Sequence, residues 1–163
     1  MNLHIKPISA ENKKEALQLN VKTEQSSFIE PVSQCIQEAE QLDLWNPVAI
    51  YHGTDMIGFA MYGFFPYEDT HGRVWLDRFL IDNRYQGKGY GKEAIHLLLD
   101  KAFTHHNLNR VAIGVVEKNI NALKFYEKIG FKKEGIQEQG YYYNGEYMDF
   151  VMMRILKEEW LKR

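Results

Sequence analysis

The chain has 163 residues, 45% of them apolar, and a formal net charge of −2. A chain of this length is expected to form one domain, residues 1–163, with a self-supporting core. The near-neutral charge gives no reason to expect nucleic-acid binding. No apolar run approaches the roughly 18 residues that a membrane span requires, and the sole cysteine, Cys35, excludes an internal disulfide. We therefore expect a cytoplasmic protein without membrane or nucleic-acid partners.

The first half of the chain predicts a strand, two helices and a hairpin. The elements expected are a strand over 3–8, helices over 9–21 and 32–42, and strands over 48–52 and 56–65. Ser9 can cap the first helix and Pro31 can open the second. The turn over 53–55 joins the last two strands, and a polar loop over 66–72 follows them.

The second half predicts further strands and helices in alternation. The elements expected are strands over 74–81, 110–116, 131–142 and 147–156, and helices over 91–106 and 119–129. The strand over 74–81 is apolar apart from Asp77 and Arg78, which indicates a central strand. Alternation along a strand places Arg78 on the face opposite Asp77. Asn144-Gly145 is the expected turn of the last hairpin. The result is a mixed α/β layer with helices on both faces.

The stretch from Arg84 to Lys92, with the sequence RYQGKGYGK, lies between a predicted strand and a predicted helix. Glycines allow backbone N–H groups to turn inward, and a helix N-terminus adds partial positive charge. The spacing excludes a Walker A loop, because Glu93 stands where the magnesium-binding hydroxyl would be. It also excludes a dinucleotide fingerprint, because Lys92 occupies the third glycine position. The stretch predicts an anion-binding loop of another kind.

A second block, Asn119 to Phe131, adds to this pattern: an asparagine opens a predicted helix, Tyr126 lies near its end and Gly130-Phe131 closes it. With both blocks in this order, the chain resembles the GCN5-related N-acetyltransferases along nearly its whole length. The resemblance implies a mostly antiparallel central sheet and acetyl-CoA as co-substrate, without a metal. It implies coenzyme binding by Phe79, Leu80, Ile81, Arg84, Gln86, Gly87, Lys88, Gly89, Tyr90, Gly91, Lys92, Asn119 and Lys128.

Two residues are candidates for catalysis. By resemblance, Tyr126 lies beside the coenzyme sulfur and acts as general acid, although it could instead only pack against Phe125. Asp77 could bind or deprotonate the substrate amine, because a carboxylate in an apolar strand needs a partner. The alternative for Asp77 is a structural ion pair with another Arg or Lys.

The segments 48–65 and 73–91 resemble one branch of the family, the bacterial spermine/spermidine acetyltransferases. The implied acceptor is a primary amine of a polyamine. Glu30, at the junction of the first two helices, could bind a cationic substrate together with Asp77, or could be an exposed loop residue. Glu68, Asp69 and the tyrosines of the last hairpin could add charge and aromatic surface.

Several alternatives stay open. The acceptor could be another small amine or a protein amine, and the chain could be a non-catalytic acyl-CoA-binding module. Cys35 could form an acetyl-enzyme, although its predicted apolar helix face favours an inert core thiol. Surface pairing and helix ends explain the histidines more simply than a metal site. The family and the aromatic last hairpin also suggest a homodimer.

Overall fold

The computed structural model describes residues 2–26, 28–64 and 74–163. Its strands form one seven-stranded sheet in the order β1-β2-β3-β4-β5-β7-β6. They are β1 Leu3–Pro7, β2 Trp45–His52, β3 Asp55–Phe64, β4 Val74–Ile81, β5 Arg110–Val116, β6 Lys132–Tyr143 and β7 Glu146–Leu156. Neighbouring strands are antiparallel except β4 and β5, which are parallel. The expected mixed, mostly antiparallel sheet with a central β4 is confirmed.

The helices are α1 Lys13–Ala16, α2 Val32–Gln41, α3 Tyr90–Asp100, α4 Ile120–Ile129 and α5 Lys157–Leu161. Short 3-10 turns cover Thr23–Gln25 and Asn83–Tyr85, and α3 continues as a π-helical turn over Lys101–His105. The side chains of β2 alternate between two cores. Val48 and Ile50 pack with α3 and α4 on one face, whereas Ala49 and Tyr51 pack with α1 and α2 on the other. Helices therefore cover both faces, as expected.

The predicted first helix over 9–21 is wrong in extent, because only α1 is helical. Asn12, rather than Ser9, occupies the N-cap position of α1. α1 ends at Ala16, and farther along the predicted range the Asn20 N–H donates to the Asp82 carboxylate at 3.0 Å instead of to a helical carbonyl. A tertiary hydrogen bond thus overrides the local helical pattern.

The C-terminal helix α5 was not predicted from the sequence. Its Trp160 is buried, stands edge-on to His96, and donates its indole N–H to the Asp100 carboxylate at 2.7 Å. His96 and Asp100 of α3 therefore attach α5 to α3, which gives both residues a structural role. In the described part of the chain, no cluster of His, Cys, Asp and Glu has the geometry to hold a metal ion.

The last hairpin matches its prediction. Asn144 and Gly145 join β6 to β7 with positive φ angles of 54° and 80°, as a tight two-residue turn requires. The predicted loop over 66–72, with Glu68 and Asp69, lies outside the described residues. Within the described ranges, no helix is both long enough and apolar enough to cross a bilayer.

Candidate active site

The parallel pair at the centre of the sheet separates along its length. β4 and β5 are paired only at Val74–Val111 and Trp75–Ala112, although both strands continue beyond these positions. Their later residues line a cavity of about 540 Å³, a volume typical of small-molecule sites. Leu80 and Ile81 keep their pairing with β3, and none of residues 79–81 has a ladder partner in β5. One edge of β4 therefore faces the cavity.

The stretch Arg84–Lys92, which we call the glycine loop, lies at this cavity. Gly87 and Gly89 line it and have φ angles of 78° and 84°. Residues other than glycine rarely adopt such positive φ angles, so the two positions favour glycine. Gly89 is the N-cap of α3, and Tyr90, Gly91 and Lys92 of the first helical turn also line the cavity. The N-terminal N–H groups of α3 and its partial positive charge are thus next to the cavity.

The predicted cations of the glycine loop divide into two groups. Lys92 lines the cavity, whereas the lining does not include Arg84 or Lys88. Arg84 donates its Nε–H to Asp82 at 2.8 Å. The cationic groups of Arg84 and Lys88 both lie near the ring of Tyr85. The Gln86 side chain is also engaged, because its amide donates to the Ile81 carbonyl at 2.9 Å.

The two predicted coenzyme residues of the second block also differ in place. Asn119 lines the cavity and caps α4, since its side chain accepts the Ala122 N–H at 3.3 Å. Lys128 is exposed and is not among the residues that line the cavity.

An irregular position in β4 gathers charge at the cavity. The register between β3 and β4 shifts so that Phe59 is opposite Leu80 and Met61 is opposite Asp77. This is a β-bulge, and Arg78 within it has a φ of 50°. The sequence-based placement of Arg78 on the face opposite Asp77 is therefore wrong, because the bulge interrupts the alternation. The Arg78 guanidinium instead binds the Asp77 carboxylate, with Nη1 3.0 Å from Oδ2.

Arg78 binds two more carboxylates from the region of α2. Its Nε and Nη2 donate to the Glu30 carboxylate at 3.0 and 3.3 Å, and its Nη1 lies 2.8 Å from Glu38 Oε2. We call Glu30, Glu38, Asp77 and Arg78 the carboxylate cluster. Three carboxylates face one guanidinium, so the cluster has an excess of negative charge when ionised. Glu30, Asp77 and Arg78 line the cavity.

Burial changes the acidity of the cluster. Desolvation raises the pKa of Asp77 against the opposing effect of Arg78. Glu30 is not an exposed loop residue, since only 12% of its side chain is accessible. The sequence allowed Asp77 a structural ion pair with an Arg or Lys other than Arg78, but its partner is Arg78 itself, and Asp77 still lines the cavity.

Tyr126 lines the same cavity from α4. Its ring stands edge-on to Phe125 and Phe131, with centroids 5.1 and 5.5 Å away. Burial raises the pKa of the Tyr126 hydroxyl, and the Asp77 charge raises it further. The hydroxyl is therefore held in its protonated form, as a proton donor must be.

An aromatic pair of the last hairpin, one of the tyrosines considered from the sequence and a phenylalanine that was not, forms another part of the wall. Tyr141 and Phe150 are stacked, with centroids 5.5 Å apart, and both line the cavity. Phe150 lies over Gly114 of β5, where a Cβ would come within 2.0 Å of the ring. The Tyr141 hydroxyl is buried without a hydrogen-bond partner among the described residues. Burial and the nearby Glu30 charge raise its pKa.

Cys35 belongs to a core and not to the cavity lining. It is fully buried with α1 and α2, and its thiol points to the Glu30 carbonyl at 3.8 Å. Desolvation by burial raises its pKa to about 12. Such a thiol is almost entirely protonated at neutral pH, which agrees with the inert core thiol expected from the sequence.

Most of the predicted site residues thus meet at one cavity. Those lining it are Glu30, Asp77, Phe79, Leu80, Ile81, Gln86, Gly87, Gly89, Tyr90, Gly91, Lys92, Asn119 and Tyr126. Sequence reasoning missed the contributions of Val21, Gln25 and Phe150, for which no local pattern gave a signal. It also missed the role of Arg78, for which the paired charges in an apolar strand were a usable signal.

Comparison with known proteins agrees with this arrangement. The model of the acetyltransferase (GNAT) family matches residues 15–131. A spermine/spermidine N(1)-acetyltransferase of Bacillus subtilis is 38% identical over 149 residues, which cover 90% of this chain and 95% of that protein. A spermidine N(1)-acetyltransferase of Vibrio cholerae is 36% identical over 84 residues, which cover 52% of this chain and 49% of that protein.

Solved structures show the same fold. A crystal structure of spermidine N-acetyltransferase from Vibrio cholerae, in complex with CoA and spermine, superposes with a TM-score of 0.80. The superposition covers 98% of both chains at 23% sequence identity. The family match over residues 15–131 and the extensive similarity to the Bacillus subtilis protein lead to one conclusion. The chain belongs to the GNAT family of acetyltransferases.

Proposed function

We propose that this protein transfers the acetyl group of acetyl-CoA to a primary amine of a polyamine such as spermidine or spermine. One observation carries the proposal: a single cavity is lined by the glycine loop, by Tyr126 and by the carboxylate cluster. The names of the Bacillus subtilis and Vibrio cholerae relatives support the same acceptor.

The residues present fit the coenzyme. Acetyl-CoA supplies an activated thioester at the end of a long arm that also carries a diphosphate. The backbone N–H groups of the glycine loop and of the first turn of α3 would hold the diphosphate, with Lys92 as a nearby cation. The free edge of β4 at Phe79, Leu80 and Ile81 would hold the arm as an added strand. Arg84, Lys88 and Lys128, which are outside the lining, could contact only the outer parts of the coenzyme.

The carboxylate cluster would bind the acceptor. A polyamine carries several ammonium groups, and Glu30 and Asp77 offer carboxylate oxygens at the cavity wall. Arg78 neutralises only part of the negative charge of the cluster. The stacked rings of Tyr141 and Phe150 would contact the methylenes or an ammonium group, and a cation over an aromatic face contributes about 0.5–2 kcal/mol.

The reaction requires two proton movements. As the new amide bond forms and the C–S bond breaks, the amine loses a proton and the departing sulfur gains one. Asp77, directly or through water, would accept the amine proton, and the Tyr126 hydroxyl would donate the other. A free tyrosine has a pKa about 1.5 units above that of a free thiol. Burial raises the pKa of Tyr126 further, and the same desolvation would raise the pKa of a sulfur beside it.

We also propose that the protein forms a homodimer through its last hairpin. β6 is an edge strand, and Ile136, Tyr142 and Tyr147 of the hairpin are 56%, 60% and 62% exposed. Exposed aromatic and aliphatic side chains on a long edge strand favour a protein contact. Light scattering of the wild type and of Ile136→Glu tests this proposal, with a dimer expected for the first and a monomer for the second.

The single-domain organisation, the cytoplasmic location and the lack of nucleic-acid partners stay predictions.

A panel of amines tests the proposed function. Thiol release from acetyl-CoA would be followed with spermine, spermidine, putrescine, an aminoglycoside and a lysine-containing peptide. We expect rapid, amine-dependent release with spermine or spermidine and much slower release with the others. Turnover with only another amine would reject the polyamine assignment. Tight CoA binding without turnover of any amine would favour a non-catalytic acyl-CoA-binding module.

A further inference from the structure

A short segment near the N-terminus bridges two parts of the cavity. Residues 20–25, which we call the N-terminal segment, include Val21 and Gln25 of the cavity wall. Further along the chain lies Glu30 of the carboxylate cluster. A contact that fixes the N-terminal segment therefore fixes Val21 and Gln25 of the cavity wall.

Asp82 makes the first such contact. It follows β4 directly and is only 2% exposed. Its Oδ2 accepts the Asn20 N–H at 3.0 Å, and its Oδ1 accepts the backbone N–H and the Nε–H of Arg84 at 3.0 and 2.8 Å. The next residue, Asn83, donates its N–H to the Asn20 carbonyl at 2.7 Å. One buried carboxylate therefore joins the N-terminal segment to the start of the glycine loop.

The charge of Asp82 is maintained by these same donors. Burial alone would oppose ionisation, but the hydrogen bonds from Arg84 and Asn20 outweigh it and hold the pKa of Asp82 below its ordinary value. A buried carboxylate with several N–H donors is a strong and directional link. Replacing it with a neutral amide would remove both the charge and one acceptor oxygen.

Gln86 makes the second contact, from within the glycine loop. Its side-chain amide donates to Gln25 Oε1 at 3.0 Å and to the Ile81 carbonyl at 2.9 Å. Gln25 Oε1 also accepts the Lys22 N–H at 3.1 Å, so the same oxygen stabilises the turn of the N-terminal segment. The two links start from either end of the 3-10 turn Asn83–Tyr85 and reach the same segment.

Building on the function proposed above, we propose that Asp82 and Gln86 are positioning residues that couple the coenzyme end of the cavity to its acceptor end. Coenzyme A in the glycine loop would restrict the motion of the turn between Asp82 and Gln86. The restricted turn would fix the N-terminal segment. The cavity wall formed by Val21, Gln25 and Glu30, where the amine would bind, would be fixed with it. The amine would then bind to a wall that is already ordered, which gives positive cooperativity between the two ligands.

The experiment measures this cooperativity without turnover. Spermine would be titrated calorimetrically into the wild-type protein, with and without saturating coenzyme A, which has no acetyl group to transfer. We expect spermine to bind about tenfold more tightly in the presence of coenzyme A, within the range of typical coupling energies. Coenzyme A should gain the same factor in the presence of spermine, because coupling is reciprocal.

Matched variants separate coupling from general damage. Asp82→Asn and Gln25→Ala each remove one link and should reduce the coupling to about twofold or less. Gln25→Glu keeps an acceptor oxygen for the Gln86 amide and should retain the coupling. Asn20→Ala should also retain it, because Asn20 bonds to Asp82 and Asn83 through its main chain. Gln25→Ala provides the test if Asp82→Asn fails to fold.

Hydrogen exchange adds a readout that a merely structural role would not change. In the wild type, coenzyme A should slow amide exchange in residues 20–25, and this protection should be lost in Gln25→Ala but kept in Gln25→Glu. Coenzyme A binding without coupling in the wild type, or equal coupling in all four variants, would overturn this inference alone. A wild-type protein that does not bind coenzyme A would overturn the proposed function, and the inference with it.

Discussion

The guanidinium of Arg78 binds the carboxylate of Glu30 through two hydrogen bonds, from Nε at 3.0 Å and from Nη2 at 3.3 Å. Both side chains are only 12% exposed. Glu30 precedes α2, whereas Arg78 lies in the bulge of β4, so the pair joins the start of α2 to the central strand. Asp77 and Glu38 bind the same guanidinium, so three carboxylates of the described residues share Arg78.

We therefore expect Arg78→Met to destabilise the protein. The substitution leaves three carboxylates without their shared cation, and breaking a buried ion pair from one side costs about 3–5 kcal/mol. The urea midpoint of Arg78→Met should be lower than that of the wild type. Arg78→Lys keeps the charge but not the paired geometry, so its midpoint should lie between those of the wild type and Arg78→Met. An unchanged midpoint for Arg78→Met would show that the carboxylates do not need the guanidinium.

Tyr126→Phe tests the proposed general acid. The substitution keeps the ring that packs against Phe125 and Phe131 and removes only the hydroxyl. Loss of a positioned proton donor should reduce kcat by about 10²-fold or more. Calorimetric affinity for coenzyme A should change by less than about threefold, because the proposed role is in proton transfer rather than binding. A variant with wild-type kcat would remove Tyr126 from the mechanism.

The pH dependence of kcat gives a separate test of Tyr126. Burial raises its pKa above the ordinary value of 10, so the protonated, proton-donating form persists to higher pH. Ionisation of Tyr126 should therefore cause no decline of kcat between about pH 7 and 10. Stopped-flow or steady-state rates at saturating amine and acetyl-CoA would measure the profile. A decline below pH 10 that disappears in Tyr126→Phe would contradict the raised pKa.

Gly89→Val tests the glycine loop. Gly89 has a φ of 84° at the N-cap of α3, where a branched side chain would strain the backbone and approach the proposed diphosphate site. Affinity for acetyl-CoA should fall by about 10²-fold or more, since backbone N–H groups could no longer approach the phosphates.

Gly145→Val is the matched control. Gly145 has a φ of 80°, nothing lies within 4 Å of its added Cβ, and it is outside the cavity lining. The control should lose stability through backbone strain but keep its affinity for acetyl-CoA. Equal loss of affinity in both variants would show that strain, rather than contact with the coenzyme, explains the result.

Cys35→Ala separates direct transfer from an acetyl-enzyme route. The Cys35 pKa of about 12 leaves very little thiolate at neutral pH, on the order of 10⁻⁴ of the thiol at pH 8. We expect kcat to stay within about threefold of the wild type, and thiol labelling to be slow in the folded protein and rapid in urea. Loss of all turnover in a folded Cys35→Ala protein would favour the covalent route.

The sequence predicted the features that depend on local patterns. Gly87 and Gly89 were identified from their spacing, and both adopt positive φ angles beside the start of α3. Asn119 was one of two asparagines, with Asn121, expected to cap α4, and Asn144-Gly145 was expected to form a hairpin turn. Each of these predictions rests on short-range backbone chemistry, which a few neighbouring residues determine.

The features that the sequence did not predict depend on distant partners. The first helix ends at Ala16, and Asn20, which lies within its predicted range, bonds to Asp82, 62 residues away, instead of continuing the helix. The alternation rule failed at Arg78 because a bulge, stabilised by carboxylates from the region of α2, brings it to the side of Asp77. Gln25 enters the cavity wall through Gln86, and no local pattern marks it. Tertiary contacts decided all three outcomes.

A crystal structure of the protein with acetyl-CoA tests the central claim most directly. The account predicts the diphosphate against the backbone of the glycine loop, the arm along residues 79–81 of β4, and the thioester sulfur within hydrogen-bond reach of the Tyr126 hydroxyl. Acetyl-CoA bound at another surface, or with its sulfur remote from Tyr126, would contradict the account.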